Sequence, residues 1–416
     1  MNNTRWNEEQ LNTLRDMSLS DLDAAKKTGR TEDAVHSKRR RLGLLAERAE
    51  PSYSDDVKRA TNEAWKERYN KLNRKYETAL EENTVTQQLV VDIKEVAPVS
   101  YNAAPRVSVV RRRAGGSKQS ALLMFSDTHV GKVVTEAQTL GFGRYDFSTF
   151  MARLKYLEES TVSILENHTT IEVDELVVAM LGDMLDGALL HSVEAGQHVT
   201  LFSQFYAAGH AIAQFFRVLA SHVATVRIET TVGNHTRWQN QKKMPTVNRF
   251  SNLDMFLYAY VEALTKDIPN IKWNLNMQPF QVFQVKGWTF HAAHGDHLRG
   301  GDKALGIPNH AIGRQISTTT QLFTKHNKQS PHYYICGHLH RGIQLPHALG
   351  SVLVNGGFPG LDNYALMENF NPVDPTQRLL FVHPKFGKTA EYELSLKFAQ
   401  VTENAPYEIP TNFPTQ

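Results

Sequence analysis

The chain has 416 residues, enough for two or three folded units. A hydrophobic fraction of 41% with 21% charged residues is that of a soluble globular protein, and no apolar run approaches the roughly 20 residues that span a bilayer. The single cysteine, Cys336, excludes an internal disulfide and fits a reducing cytosol, while a net charge of +3 is too small to imply nucleic acid by itself.

The start, Met1-Asn2-Asn3-Thr4-Arg5-Trp6, lacks the apolar segment of a secretory signal, so a cytoplasmic location is expected. Residues 1–45 read as a small three-helix domain. Trp6, Leu11 and Leu14 mark one face of a first helix. Ser20 caps a second over 21–27, ended by Gly29, and Thr31 caps a third from 32 to about 41, closed by Gly43. A glycine turn before a helix ending Lys38-Arg39-Arg40-Arg41 suggests a helix-turn-helix whose four basic residues contact DNA. The unit resembles small Myb-like or resolvase-like DNA-binding domains in Arg30-Thr31-Glu32-Asp33-Ala34-Val35 and Arg41-Leu42-Gly43-Leu44. A protein-interaction module with a solvated basic helix end is the alternative.

Over 54–95, Trp65, Tyr69, Leu72, Tyr76 and Leu80 recur at helical spacing. This amphipathic linker helix either packs on the catalytic domain or pairs with its copy in a homodimer. Residues 96–120, with two prolines, Gly115-Gly116 and Arg111-Arg112-Arg113, read as a flexible linker.

Strand and helix alternate from 121 to 396, with more strands late, which predicts a mixed α/β domain. Five β-like runs each end in Asp, Asn or His beside a glycine or a turn. They lead into Asp127-Thr128-His129, Gly182-Asp183, Gly233-Asn234-His235, His294-Gly295-Asp296 and Gly337-His338-Leu339-His340. Ligands at the carboxyl ends of neighbouring strands converge, as in open α/β sheets. Carboxylate, amide oxygen and imidazole suit divalent ions such as manganese, iron or zinc, and seven candidates suit two ions sharing a carboxylate. The final stretch, 397–416, with Pro406, Pro410 and Pro414, reads as an extended tail.

This ordered set, over about 115–395, resembles the calcineurin-like metallophosphoesterase superfamily. The resemblance implies two mixed sheets sandwiched between helices. It assigns Asp127, His129 and His340 to one ion and Asn234, His294 and His338 to the other, with Asp183 bridging. Manganese comes first as the metal, with iron, zinc or magnesium as alternatives. His235 is implied as the catalytic, non-ligand histidine that protonates the leaving oxygen. Many relatives carry an acidic residue after it, where this chain has Thr236; Asp186 is the candidate replacement. Arg237 could hold a substrate phosphate or pair with a nearby carboxylate, and Asp296 could orient a ligand histidine.

Blocks such as Gly182-Asp183-Met184-Leu185-Asp186 also resemble double-strand-break repair nucleases. With the amino-terminal unit, they imply a DNA exonuclease or endonuclease in replication, repair or processing. The alternatives are a phosphatase or phosphodiesterase acting on nucleotides, RNA ends or phosphoproteins, and a DNA-binding regulator with a structural metal site. No capping domain or ATPase-partner region is readable. The layout would suit a bacteriophage, in which case the compartment is the host cytoplasm.

Overall fold

In the computed structural model the described residues are 6–44, 70, 117–187, 201–237, 252–276, 278, 280–298, 300, 307–367 and 372–410. The chain divides into two compact units, with the boundary between Glu77 and Thr78. The expected linker helix over 54–95, the dimer contact assigned to it and most of the 96–120 linker lie outside the described residues.

The first unit contains α1 (Glu8–Arg15), α2 (Asp21–Thr28) and α3 (Glu32–Arg41). Each start is capped by its own sequence: Asn7 and Gln10 form a capping box on α1, Ser20 accepts from the Asp23 amide, and Thr31 accepts from the Ala34 amide. Gly29, at φ 65°, takes the left-handed turn that closes α2. Leu14, Ala24, Ala25 and Val35 form the core, with Trp6, Leu11 and Leu19 against it.

Arg39 corrects the reading of the basic run. It is 2% exposed, and its guanidinium donates to the carbonyls of Leu14, Asp16 and Leu19 and to Asp21 Oδ1 at 2.7 Å. It closes the loop between α1 and α2 and has no face left for DNA. Arg40 and Arg41 are exposed and Lys38 is half-buried.

The second unit holds a sheet ordered β11-β10-β1-β2-β3-β4 and another ordered β5-β6-β7-β9-β8. The strands are β1 (Gln119–Phe125), β2 (Val173–Met180), β3 (Thr225–Thr230), β4 (Ile271–Asn274), β5 (Gln281–Val285), β6 (Trp288–Ala292), β7 (Tyr333–Cys336), β8 (Ile343–His347), β9 (Gly350–Val354), β10 (Thr376–His383) and β11 (Gly387–Ser395). The longer helices are α4 (Phe147–Asn167), α5 (Leu201–Ala220), α6 (Leu253–Leu264) and α7 (Asn309–Lys325). Strands β1 to β4 run parallel in register, as do β6, β7 and β9, while β10, β11, β5 and β8 add antiparallel pairs. Both sheets are therefore mixed.

Alternation along β1 explains the layering. Ala121, Leu123 and Phe125 face a core shared with α4, α5 and α6, whereas Leu122 and Met124 face Phe283, Phe290, Ile335 and Leu353 of the second sheet. Every residue of β1 is buried because both of its faces are covered. A third cluster puts Ile312 of α7 against Tyr334, Cys336, Val352 and Val354. The result is helix, sheet, sheet, helix, the α/β sandwich that the resemblance implied.

Two boundaries shift. Strand β1 begins at Gln119, inside the stretch read as linker. After a 3-10 turn at Leu396–Phe398 the described part of the tail, 399–410, has no regular structure, yet it is pinned: Tyr407 is 4% exposed and donates to Glu158 Oε2 at 2.9 Å.

Candidate metal centre

Parallel pairing brings the ends of β1, β2 and β3 side by side, and β6 and β7 do the same in the facing sheet. The loops that follow are stitched together by backbone bonds: Asp127 N–H to Gly182 O, His129 N–H to Asp183 O, and Gly337 N–H to His294 O. Among the described residues, eight non-glycine residues have positive φ, and five of them are Asp127, His129, Asp183, His338 and His340. Such conformations cost about 1–3 kcal/mol each and persist where surrounding contacts overdetermine them.

Those contacts aim the side chains. Asp127 accepts the His338 amide on both oxygens, at 3.0 and 3.1 Å, and the Ser126 hydroxyl at 2.6 Å. Asp183 Oδ1 accepts the amides of Asn234 and His235 at 2.7 and 2.9 Å, leaving Oδ2 3.0 Å from His294 Nε2. His294 Nδ1 donates to the Leu181 carbonyl at 2.7 Å, so its Nε2 lone pair faces the cluster, 3.0 Å from Asn234 Oδ1. On the other side His340 Nε2 lies 3.0 Å from His129 Nε2 and 3.3 Å from Asp127 Oδ1.

Two triads, Asp127–His129–His340 and Asp183–His294–His338, each place one ligand atom per residue within 4.8 Å of the others. A third such group joins His129 and Asp183 to His235. Bonds of about 2.1 Å to one divalent ion would separate neighbouring ligand atoms by about 3.0–3.4 Å. The spacings around His294 and His340 match. Lone pairs and carboxylates converge, so the residues fit two ions, with Asp183 of one triad also joined to His129 of the other through the third group. The structure brings the seven residues singled out in the sequence into one cluster.

Charge within the cluster is shared between carboxylates and imidazoles. Burial opposes ionisation of Asp183, but His294 and His235 outweigh it and hold the carboxyl well below its ordinary range. Burial likewise opposes charge on His294, and Asp183 overcomes it, pushing that pKa up to about 10. Burial pushes His129 and His338 down to about 4. Asn234, His235, His338 and His340 are only partly covered, which leaves one side of the cluster open to solvent.

His235 stands at that opening. Its Nδ1 donates to the Asp186 carbonyl at 3.2 Å and lies 3.6 Å from Asp186 Oδ1, while Nε2 is 3.9 Å from Asp183 Oδ2. Burial opposes its protonation, but Asp183 and Asp186 raise its pKa overall. Asp186, the candidate replacement for an acidic residue at 236, therefore lies beside His235. It also approaches His129 Nδ1, at 3.4 Å. Thr236 instead donates to Asn252 Oδ1 at 2.5 Å.

Two of the substrate-side residues meet each other. Arg237 pairs with Asp296, the carboxylate alternative rather than a free phosphate grip. Asp296 therefore holds an arginine, and the Leu181 carbonyl, not Asp296, fixes His294 Nδ1.

Sequence reasoning missed the support beneath the loops. Asp254 is fully buried and accepts the amides of Asp183, Met184 and Gly233 at 2.9, 3.1 and 2.9 Å. Burial, reinforced by the Asp183 charge, pushes its pKa up to about 6. Gln377 accepts the Ser126 amide, and Asn355 Nδ2 donates to Ser126 Oγ at 2.9 Å. The Asn355-Gly356-Gly357 turn also lies at the site: a Cβ on Gly357 would sit 2.9 Å from the His340 ring.

No protein-family model matches the chain, and no curated protein does. Solved structures overlap it weakly. An archaeal phosphodiesterase is 12% identical, with TM-score 0.30, covering 66% of this chain and 99% of its own. A dimetal phosphatase from Danio rerio is 12% identical, with TM-score 0.30, covering 67% and 99%. A hypothetical protein from Pyrococcus horikoshii is 7% identical, with TM-score 0.34, covering 66% and 88%. Likenesses this slight identify neither family nor reaction.

Proposed function

We propose that the chain is a two-metal phosphodiester hydrolase acting on DNA. The observation that carries the hydrolase reading is the pair of triads, Asp127–His129–His340 and Asp183–His294–His338, on one open-sided cluster. Divalent ions held there supply Lewis acidity, neutralising phosphate oxygens and acidifying water. The chain's own residues do the rest. Asp127 and Asp183 set the charge, and Asn234 with the imidazoles adds affinity without further negative charge. His235, oriented through Nδ1 by Asp186, presents Nε2 to the opening, where a protonated imidazole can deliver a proton to the leaving oxygen.

Two observations favour a diester, and DNA in particular. Arg237, the cation that could grip the dianionic end of a monoester, is already paired with Asp296. The amino-terminal three-helix unit exposes Arg40 and Arg41 at the end of α3, where cations can meet phosphates. A phosphatase or small-diester phosphodiesterase would use the same ligands and is the reading to test against.

Purified protein with manganese should degrade end-labelled single- or double-stranded DNA, and Asp183→Asn should abolish the cleavage. A ladder from the ends would mark an exonuclease and internal products an endonuclease. Intact DNA alongside turnover of a chromogenic phosphodiester would overturn the DNA reading and leave a small-ester hydrolase.

A further inference from the structure

The first turn of α6 is fastened to the site by a set of contacts more specific than helix capping requires. Asp254 sends Oδ2 to the amides of both Asp183 and Gly233, at 2.9 Å each, and Oδ1 to the amide of Met184 at 3.1 Å. Asn252 takes the other side of the same residue: its Nδ2 donates to the Gly233 carbonyl at 2.9 Å. Asn252 Oδ1 accepts the Asp254 amide at 2.9 Å and the Thr236 hydroxyl, and Leu253 N–H reaches Thr236 O at 3.0 Å. Gly233 is therefore held at both its N–H and its C=O, one residue before Asn234. Asp183, with φ 53°, is held at its own N–H.

The chemistry of Asp254 is specific. Three N–H groups converge on two oxygens, a load a carboxylate carries and an amide cannot, because an NH₂ would face a donor. Both residues are fully buried, so water has no ready route to replace either. The N-capping contact to α6 itself comes from Asn252, which leaves Asp254 free for the loops.

We propose that Asp254, fixed by Asn252, is a positioning residue for the metal centre. It locks the bridging carboxylate of Asp183 to the loop carrying Asn234, and so sets affinity at the Asp183–Asn234–His294–His338 position. The inference rests on the two-metal reading above. It also assigns an asymmetry between the positions, since the contacts of Asp254 reach the Asp183 and Gly233 loops and not Asp127, His129 or His340.

The test is a manganese titration of the full chain, by calorimetry and by electron paramagnetic resonance of the bound ions, on wild type, Asp254→Asn and Asp254→Ala. Loss of an outer-shell partner typically weakens metal binding by about 10- to 100-fold. Asp254→Asn should fall near the lower figure and Asp254→Ala near the upper. The weaker of two resolved sites should be lost first, so that the signal of a coupled pair gives way to that of an isolated ion. A merely structural role would lower the melting temperature but leave affinity and spectrum of the folded protein unchanged, and that result overturns the proposal. Should Asp254→Ala not fold, Asn252→Ser, which keeps the carboxylate but removes the hold on the Gly233 carbonyl, should weaken the same ion. Unchanged affinity in both Asp254→Asn and Asn252→Ser overturns the proposal as well. Substrate plays no part in this measurement. A wild type that binds two ions but spares DNA removes the nuclease reading alone; a wild type that binds no manganese removes both.

Discussion

At the residue scale, the site depends on small groups placed against large ones. A Cβ on Gly233 would lie 2.0 Å from Asp183 Oδ1, and one on Gly337 would lie 2.3 Å from Asp127 Oδ2. Neither carboxylate can withdraw, because each is held by backbone amides. Gly233→Ala should therefore displace the bridging ligand, eliminate the coupled manganese signal and reduce phosphodiesterase activity at least about 100-fold, as loss of a ligand's geometry does. Gly313 is the contrast: it lies inside α7 with nothing within 4 Å of an added Cβ. Gly313→Ala should stabilise by about 0.5–1 kcal/mol in urea unfolding and leave activity unchanged. The motif glycines were legible because each stands next to a candidate ligand in sequence, Asn234 or His338, although the carboxylate it makes room for comes from a distant loop. Asp254 was not. Its partners lie 70, 71 and 21 residues away, and an aspartate in a first helical turn reads locally as ordinary dipole complementation.

At the element scale, strand ends were readable and helix faces less so. Apolar runs ending in Gly-Asp, Gly-Asn-His and Gly-His-x-His mark where parallel strands deliver their loops, which is why the ligand set emerged in order. The basic end of α3 was read as one patch, although Arg39 stands four residues after Val35 and so shares its buried face. Arg39→Ala should remove four hydrogen bonds, taking the donor from three loop carbonyls and leaving Asp21 its bond with His36, at a cost of about 2–4 kcal/mol that melts the three-helix unit. Arg40→Ala and Arg41→Ala, on exposed positions, should each cost under about 0.5 kcal/mol. Circular dichroism of the three variants separates these outcomes, and equal stability of all three would refute the assignment of Arg39. The pair Arg40→Ala/Arg41→Ala is accordingly the right probe of DNA affinity at low salt.

The docked tail belongs to this scale too. Glu158 on α4 is buried, and burial raises its pKa despite Lys155 and the Tyr407 hydroxyl. The folded state then holds this proton more tightly than the unfolded chain does. Its contribution to stability is complete below the ordinary glutamate pKa of 4.5 and is lost as pH rises through the raised folded value. The stability difference between wild type and Glu158→Gln should thus shift in favour of the wild type from pH 7 to pH 4 in urea titrations. A difference that moves the other way would mean Lys155 dominates.

At the scale of the whole molecule, the class was legible and the sheet order was not. Alternating strand and helix signals announce an α/β unit. Nothing local says that β10 pairs with β1 some 250 residues earlier, or that β9 intervenes between β7 and β8. Those neighbours follow from burying both faces of β1, a condition that only the assembled chain imposes. The same assembly buries Asp127, Asp183, Asp186 and Asp254 around one point, so folding concentrates negative charge there and cations should bind the folded state far better than the unfolded one. Manganese at about 100 times its dissociation constant should stabilise the second unit by about 2.7 kcal/mol per ion. At about 2–4 °C per kcal/mol, one ion should raise the melting temperature by about 5–10 °C, and a chelator should reverse the rise. Asp183→Asn weakens the charge of the carboxylate that belongs to one triad and, through the third group, also meets His129 of the other, so it should flatten this response rather than merely offset it. A variant that melts lower but keeps the full manganese shift would show that Asp183 supports the loops without bridging ions.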